Sequence, residues 1–159
     1  MTAQTCYTVY QSQLTEPHIN LGENMNDKIS GGCLCGAVSY EVRNDFKRFY
    51  FCHCKQCQKI TGSAHASNLF TRPDAIKWTA GEEHKKQFNY PDRDFTVVFC
   101  SECGSGLPFV TKSGKTLLVP AGSLDAEPNI QPNDNIFWAE RASWYDNGKQ
   151  ANKCEGFPS

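Results

Sequence analysis

The sequence predicts a mainly β fold. Three observations carry that expectation. From Ile29 onward, short runs alternate apolar and polar side chains with a period of two. Glycine and proline interrupt these runs at short intervals. Only Cys57 to Thr61 suits a helical turn, and Gly62 is placed to end it.

The elements follow in chain order. Residues 1–27 are polar and aperiodic, and Pro17, Asn20, Gly22, Asn24 and Asn26 break any element that starts, so a loosely ordered tail is expected. Met25 is a candidate internal start. N-terminal sequencing of native protein beginning at Met1 would exclude it. Residues 28–159 are expected to form one domain, with no linker, repeat or low-complexity stretch. Val38, Tyr40 and Val42 alternate with Ala37, Ser39 and Glu41, as in a half-buried strand. Arg48 to Phe51 forms a short aromatic strand. Ala66 to Thr71, Ala75 to Trp78 and Glu83 to Tyr90 follow, separated by Arg72-Pro73-Asp74 and Ala80-Gly81. Phe95 to Phe99 has the strongest strand signal. Leu107 to Thr111 and Thr116 to Val119 flank a hairpin turn at Lys112-Ser113-Gly114, and Asn135 to Trp138 adds a last strand.

The chain has 159 residues, 39% hydrophobic and 21% charged, which is an ordinary balance for a globular protein with a core. A formal net charge of −1 leaves no broad basic footprint for nucleic acid or anionic lipid. No apolar run approaches the roughly 18 residues of a membrane span. The N-terminus lacks the basic start and apolar stretch of a secretory signal, so a cytoplasmic location is expected.

Nine cysteines are an unusual load for such a chain. Cys33 and Cys35 stand too close for an easy mutual disulfide, the total is odd, and a disulfide scaffold is the disfavoured reading. Seven cluster as Cys33-x-Cys35, Cys52-x-Cys54-x-x-Cys57 and Cys100-x-x-Cys103. Seven thiolates divide into four, which close a tetrahedral zinc site, and three, which leave a fourth position open. Cys33-x-Cys35-Gly36 and Cys100-x-x-Cys103-Gly104 are each followed by glycine, whose backbone can turn N–H groups toward sulfur. They are assigned to a closed structural zinc. Cys52, Cys54 and Cys57 can be presented by one loop to a second, reactive zinc. Its three thiolates leave a net charge of about −1 and suit thiolate chemistry better than water activation. Lys55 and Lys59 are placed to offset that charge.

Other arrangements stay open at this level. Cys100 and Cys103 can instead join two cysteines of the middle cluster, and a four-cysteine site also accepts iron. A closed second site completed by His53 or His65 needs no catalysis. His53 is read as a proton carrier beside the metal or, the blander choice, a solvent-facing loop residue. For His65 a strand histidine satisfied by backbone is preferred to a pocket residue. His18 and His84 read as surface residues, and Cys6 and Cys154 as free thiols without a metal role. Lys85-Lys86 reads as a solvated face.

The three clusters in this order resemble a known pattern. Gly31-Gly32-Cys33-Leu34-Cys35-Gly36-Ala37-Val38-Ser39-Tyr40 is similar to the opening signature of the glutathione-dependent formaldehyde-activating enzyme family, which includes centromere protein V. Cys52-His53-Cys54-Lys55-Gln56-Cys57-Gln58-Lys59 with Gly62 resembles its central motif. Phe99-Cys100-Ser101-Glu102-Cys103-Gly104 resembles its knuckle, and Ala142-Ser143-Trp144 its closing segment. The resemblance runs from about Ile29 to about Trp144.

It implies a Mss4-like (β-tent) fold of small antiparallel sheets stapled by zinc, with two zinc ions per chain. Cys33, Cys35, Cys100 and Cys103 would be structural. Cys52, Cys54 and Cys57 would be catalytic, with the substrate approaching near Cys54, beside His53 as the candidate proton carrier. It also implies carbon–sulfur lyase activity on S-hydroxymethylglutathione, the adduct of glutathione and formaldehyde, or on a related small thiol adduct. No motif specifies a glutathione pocket. Arg48, Lys55, Lys59, Arg72 and Arg141 are the candidate cations for the tripeptide's two carboxylates. The alternative is a non-catalytic, zinc-stabilised protein-binding module. Ranked last is a reductase similar to methionine sulfoxide reductase B, for which only Cys154 is available as a separate nucleophile.

Overall fold

The computed structural model describes residues 27–157. The expected tail, with Cys6, His18 and Met25, lies outside the described residues apart from Asp27. The architecture is mainly β, as expected, in three small sheets. The first contains β1 (Lys28–Gly32), β2 (Ser39–Arg43) and β5 (Ile76–Ala80), all antiparallel. The second runs in the order β11 (Asp134–Ile136), β3 (Arg48–Cys52), β4 (Ala66–Thr71), β10 (Leu117–Pro120) and β9 (Phe109–Val110). The third joins β6 (Lys85–Asn89), β7 (Thr96–Cys100) and β8 (Gly106–Leu107). The helices are α1 (Lys55–Thr61) and α2 (Tyr145–Lys149).

The main core lies between the first two sheets. Alternation along β2 turns Tyr40 and Val42 inward. They meet Phe49, Leu69 and Val119, which stand in register across β3, β4 and β10. Leu69 and Val119 are fully enclosed, and burying a side chain of that kind contributes roughly 1.5–3 kcal/mol. Tyr40 keeps its hydroxyl satisfied inside this core by bonding Ser123 Oγ at 2.7 Å. A second cluster joins the first and third sheets through Val38, Val98, Cys100 and Leu107.

Several elements depart from the sequence expectation. β1 carries little apolar signal in Lys-Ile-Ser-Gly-Gly, yet it pairs along its whole length with β2. The expected strand from Leu107 to Thr111 is split, because Pro108 has no N–H to continue a ladder. Glu82–His84 is a 3₁₀ turn, so β6 begins only at Lys85. The last strand ends at Ile136, because Phe137 takes φ 55° and swings the chain away. It pairs in parallel with β3, whereas every other ladder is antiparallel among the described residues. Helix α2 was not expected, since Tyr-Asp-Asn-Gly-Lys contains poor helix formers.

Candidate metal centres

Seven cysteines converge into two groups. Cys33, Cys35, Cys100 and Cys103 place all their sulfurs within 4.8 Å of one another, and so do Cys52, Cys54 and Cys57. The alternative that sends Cys100 and Cys103 to the middle cluster is therefore excluded by position.

The four-sulfur group forms where two turns meet. β1 ends at Gly32, and the chain doubles back into β2 through Cys33 N–H to Val38 O at 3.0 Å and Gly36 N–H to Cys33 O at 3.1 Å. β7 ends at Cys100, where Gly104 N–H reaches Cys100 O at 2.9 Å. Gly36 and Gly104 take φ 77° and 75°, the left-handed conformation that these turns require. Leu34 N–H donates to Ser105 Oγ at 3.1 Å and ties one turn to the other. Val38 N–H points at Cys33 Sγ at 3.2 Å.

The three-sulfur group is built by one reversal. Cys52 closes β3, Cys54 caps α1, and Cys57 sits in its first turn with its N–H 3.4 Å from Cys54 Sγ. Gly62 ends the helix at φ 62°. Ala66, opposite Cys52 on β4, together with Phe95 and Ile136, packs against the sulfurs. Cys52 and Cys54 are buried, and Cys57 keeps 9% of its surface.

The donor sets fit zinc. Tetrahedral Zn–S bonds of about 2.3 Å separate neighbouring sulfurs by about 3.8 Å. Cys33–Cys35 and Cys35–Cys100 measure 3.5 and 3.9 Å. Proton balance points the same way. Hydrogen bonding from Ser105 holds the Cys103 thiol down at about 6. The N–H of Ala37 favours a Cys35 thiolate, but the crowding sulfurs of Cys33 and Cys103 push that thiol up to about 12. In the second group the Cys57 thiol donates to Cys52 and lowers it to about 6, while the Cys52 sulfur and burial push Cys57 up. Each group thus favours thiolate at one sulfur and resists it at a neighbour. Full ionisation requires a cation among the sulfurs.

His53 is fully buried, so its solvent-facing reading is overturned. Its backbone N–H bonds Ile136 O at 3.0 Å, and its Nε2 lies 2.9 Å from Asn135 Oδ1. Nδ1 has no hydrogen-bond partner among the described residues. Trp138, Tyr145 and His65 surround the ring at centroid distances of 5.1, 4.8 and 5.2 Å. His65, the less favoured pocket residue, thus belongs to the His53 neighbourhood, and it stacks on Phe51 at 4.3 Å. Burial, with His53 nearby, holds it below the usual imidazole range. Asn135, Trp138 and Tyr145 were missed as site residues. Only the short Asn135–Trp138 strand signal pointed toward that segment.

The expected cations are elsewhere engaged or turned outward. Lys55 Nζ bonds Glu140 O at 2.7 Å, while its N–H bonds the Glu140 carboxylate at 2.9 Å. Arg72 pairs with Asp74, and Arg141 pairs with Asp146 while lying over Trp138. Arg48 and Lys59 are exposed. Cys154 is exposed and joins neither group.

A cleft of about 1040 Å³ lies beside both groups, between the end of β1, β4, β7, β8 and β10. Cys57, Ile60 and Thr61 line it at α1, and Cys33 lines it at the other group. This is the size range of small-molecule sites.

The model of the family described as glutathione-dependent formaldehyde-activating enzyme matches residues 28–140. The chain belongs to that family. The matched segment contains all seven clustered cysteines, His53 and Asn135, and stops before α2. Family membership supports glutathione-dependent formaldehyde activation as the general kind of chemistry. The fold is similar to that in a crystal structure of a Rhodobacter sphaeroides protein, with a TM-score of 0.55 and 23% identity. That similarity covers 68% of this chain and 100% of the other. No curated protein matches the sequence. Among the described residues no helix is long and apolar enough to cross a membrane.

Proposed function

We propose that this chain is a zinc-dependent carbon–sulfur lyase acting on a thiol–aldehyde adduct, with S-hydroxymethylglutathione as the family's namesake substrate. Cys33, Cys35, Cys100 and Cys103 hold a structural ion that staples β1 to β7. Cys52, Cys54 and Cys57 would hold a second, reactive ion. The observation that carries this reading is the three-sulfur group, which gathers no fourth ligand among the described residues and lies beside a ligand-sized cleft. Zinc bound there supplies a Lewis acid that favours thiolate over thiol.

The chain's own residues supply the rest. Cleavage of an adduct breaks its C–S bond, sends the electron pair to sulfur, and removes the hydroxyl proton as the carbonyl forms. His53 Nδ1, without a hydrogen-bond partner among the described residues and shielded by Trp138 and Tyr145, is the assigned proton acceptor. Asn135 holds the opposite ring nitrogen. A cytoplasmic setting suits seven clustered, unpaired thiols.

The test combines metal content, circular dichroism and exchange kinetics of hydroxymethyl thiol adducts. Wild type is expected to carry two zinc ions. Cys54→Ala is expected to lose one, keep its fold and lose at least a hundredfold in exchange rate. Cys100→Ala is expected to lose the fold. Undiminished exchange in Cys54→Ala would refute the reading. The exposed Phe137, Trp138 and Trp144 favour a second reading, a non-catalytic protein-binding module. On that reading wild type shows no exchange, and Cys54→Ala still captures its partner.

A further inference from the structure

The charge of the cleft narrows its ligand. Apart from Asp125, no acidic or basic side chain among the described residues lines it. Phe88, Phe95, Val97, Phe99 and Leu118 supply much of its apolar wall. None of the cations proposed from sequence lines the cleft; Lys55 Nζ bonds the Glu140 carbonyl oxygen, and Arg72 and Arg141 pair with Asp74 and Asp146. Residues 1–26, 158 and 159 contain no lysine or arginine, so the segments outside the described residues supply none either.

A three-thiolate zinc at the α1 end would add a net charge of about −1 to that of Asp125. A carboxylate entering this space would lose water without gaining a cationic partner. Glutathione carries two carboxylates. An uncharged adduct with apolar substituents loses little on entry and gains from the aromatic wall.

We infer that the cleft takes an uncharged, apolar hemithioacetal in preference to a glutathione adduct. This rests on the lyase reading for its reaction, and on the cleft alone for its selectivity. The step balances without a further reactant. R–S–CH(OH)–R′ gives R–SH and R′CHO: the C–S bond breaks, its electron pair goes to sulfur, and the hydroxyl proton ends on that sulfur.

The experiment uses the full, zinc-loaded chain and two unreactive thioethers with the same apolar group, 2-(benzylthio)ethanol and S-benzylglutathione. Calorimetry measures binding of each to wild type and to Asp125→Lys. The Asp125 side chain is exposed at the cleft wall and outside both sulfur groups, so this substitution preserves the fold. The neutral thioether is expected to bind wild type at least tenfold more tightly than S-benzylglutathione. Asp125→Lys is expected to strengthen S-benzylglutathione binding at least fivefold and leave the neutral thioether unchanged. Equal or tighter binding of S-benzylglutathione to wild type overturns the inference, as does failure of both probes to bind. Exchange of the hydroxymethyl adducts of benzyl mercaptan and glutathione, followed by NMR, tests the lyase reading separately. If neither adduct exchanges while the neutral thioether keeps its advantage, the lyase assignment falls and the selectivity of the cleft stands.

Discussion

His53 Nε2 meets Asn135 Oδ1 at 2.9 Å across 82 residues of sequence. The contact exists because β11 adds in parallel to β3, which sets Ile136 beside Cys52 and Asn135 beside Phe51. It fixes the imidazole immediately next to two candidate metal ligands. Asn135→Ala leaves a fully buried ring with both nitrogens unpartnered. The expected loss is about 1–3 kcal/mol, read from urea unfolding at neutral pH. Unchanged stability would mean that the ring finds another partner.

Gly104 tests how much the knuckle depends on backbone conformation alone. It takes φ 75°, and a Cβ there meets no atom within 4 Å. Gly104→Ala therefore adds no clash, only the cost of a left-handed residue, about 1–2 kcal/mol. Gly122 also has open space around it, but without a positive φ. Gly122→Ala is expected to be neutral within about 0.5 kcal/mol. A chelator-challenge titration, in which the Gly104 variant releases zinc first, checks the comparison.

Tyr40 predicts an alkaline limb of the stability curve. Burial, only partly offset by its bond to Ser123, pushes its phenol up to about 12. The folded state thus prefers the protonated form more strongly than the unfolded chain, whose phenol titrates near 10. The resulting stability is fully present below about pH 10 and is lost as pH rises through about 12, by about 2–3 kcal/mol in all. Tyr40→Phe is expected to flatten that limb. Thermal midpoints collected from pH 9 to 12 on both proteins decide it. Parallel curves would exclude Tyr40 as the source.

Gln58 clamps the loop of the middle cysteine cluster to the C-terminal segment. Its Nε2 donates both to His53 O and, at 2.9 Å, to Glu140 O. Gln58→Ala is expected to speed amide hydrogen exchange over residues 138–145 at least tenfold. Exchange in the β1–β2 hairpin is expected to stay unchanged. Uniform acceleration would point to global destabilisation instead.

Much of this molecule was readable from particular residues. Val38, Tyr40 and Val42 announced β2, and Ala66 to Thr71 announced β4 to the residue. Period-two burial is a local property, so local sequence carries it. β1 and α2 were not readable, because Gly31-Gly32 and Asn147-Gly148 lack intrinsic preference for strand or helix. Neighbouring elements hold them in place. Pro108 was visible, but its splitting of β8 from β9 follows from where the ladder required a donor.

The same division holds for the site. Cysteine spacing alone determined that seven sulfurs would gather in short turns, because ligands three residues apart reach one ion whatever the rest of the chain does. Gly36 and Gly104 were likewise marked by residue type. Only the tertiary structure decided that Cys35 faces Cys100 across 65 residues. The same is true of the burial of His53 against Asn135. It also decided that no lysine or arginine lines the cleft beside Cys57. These relations depend on how three sheets dock, and docking is set by core packing between distant strands, not by any short segment.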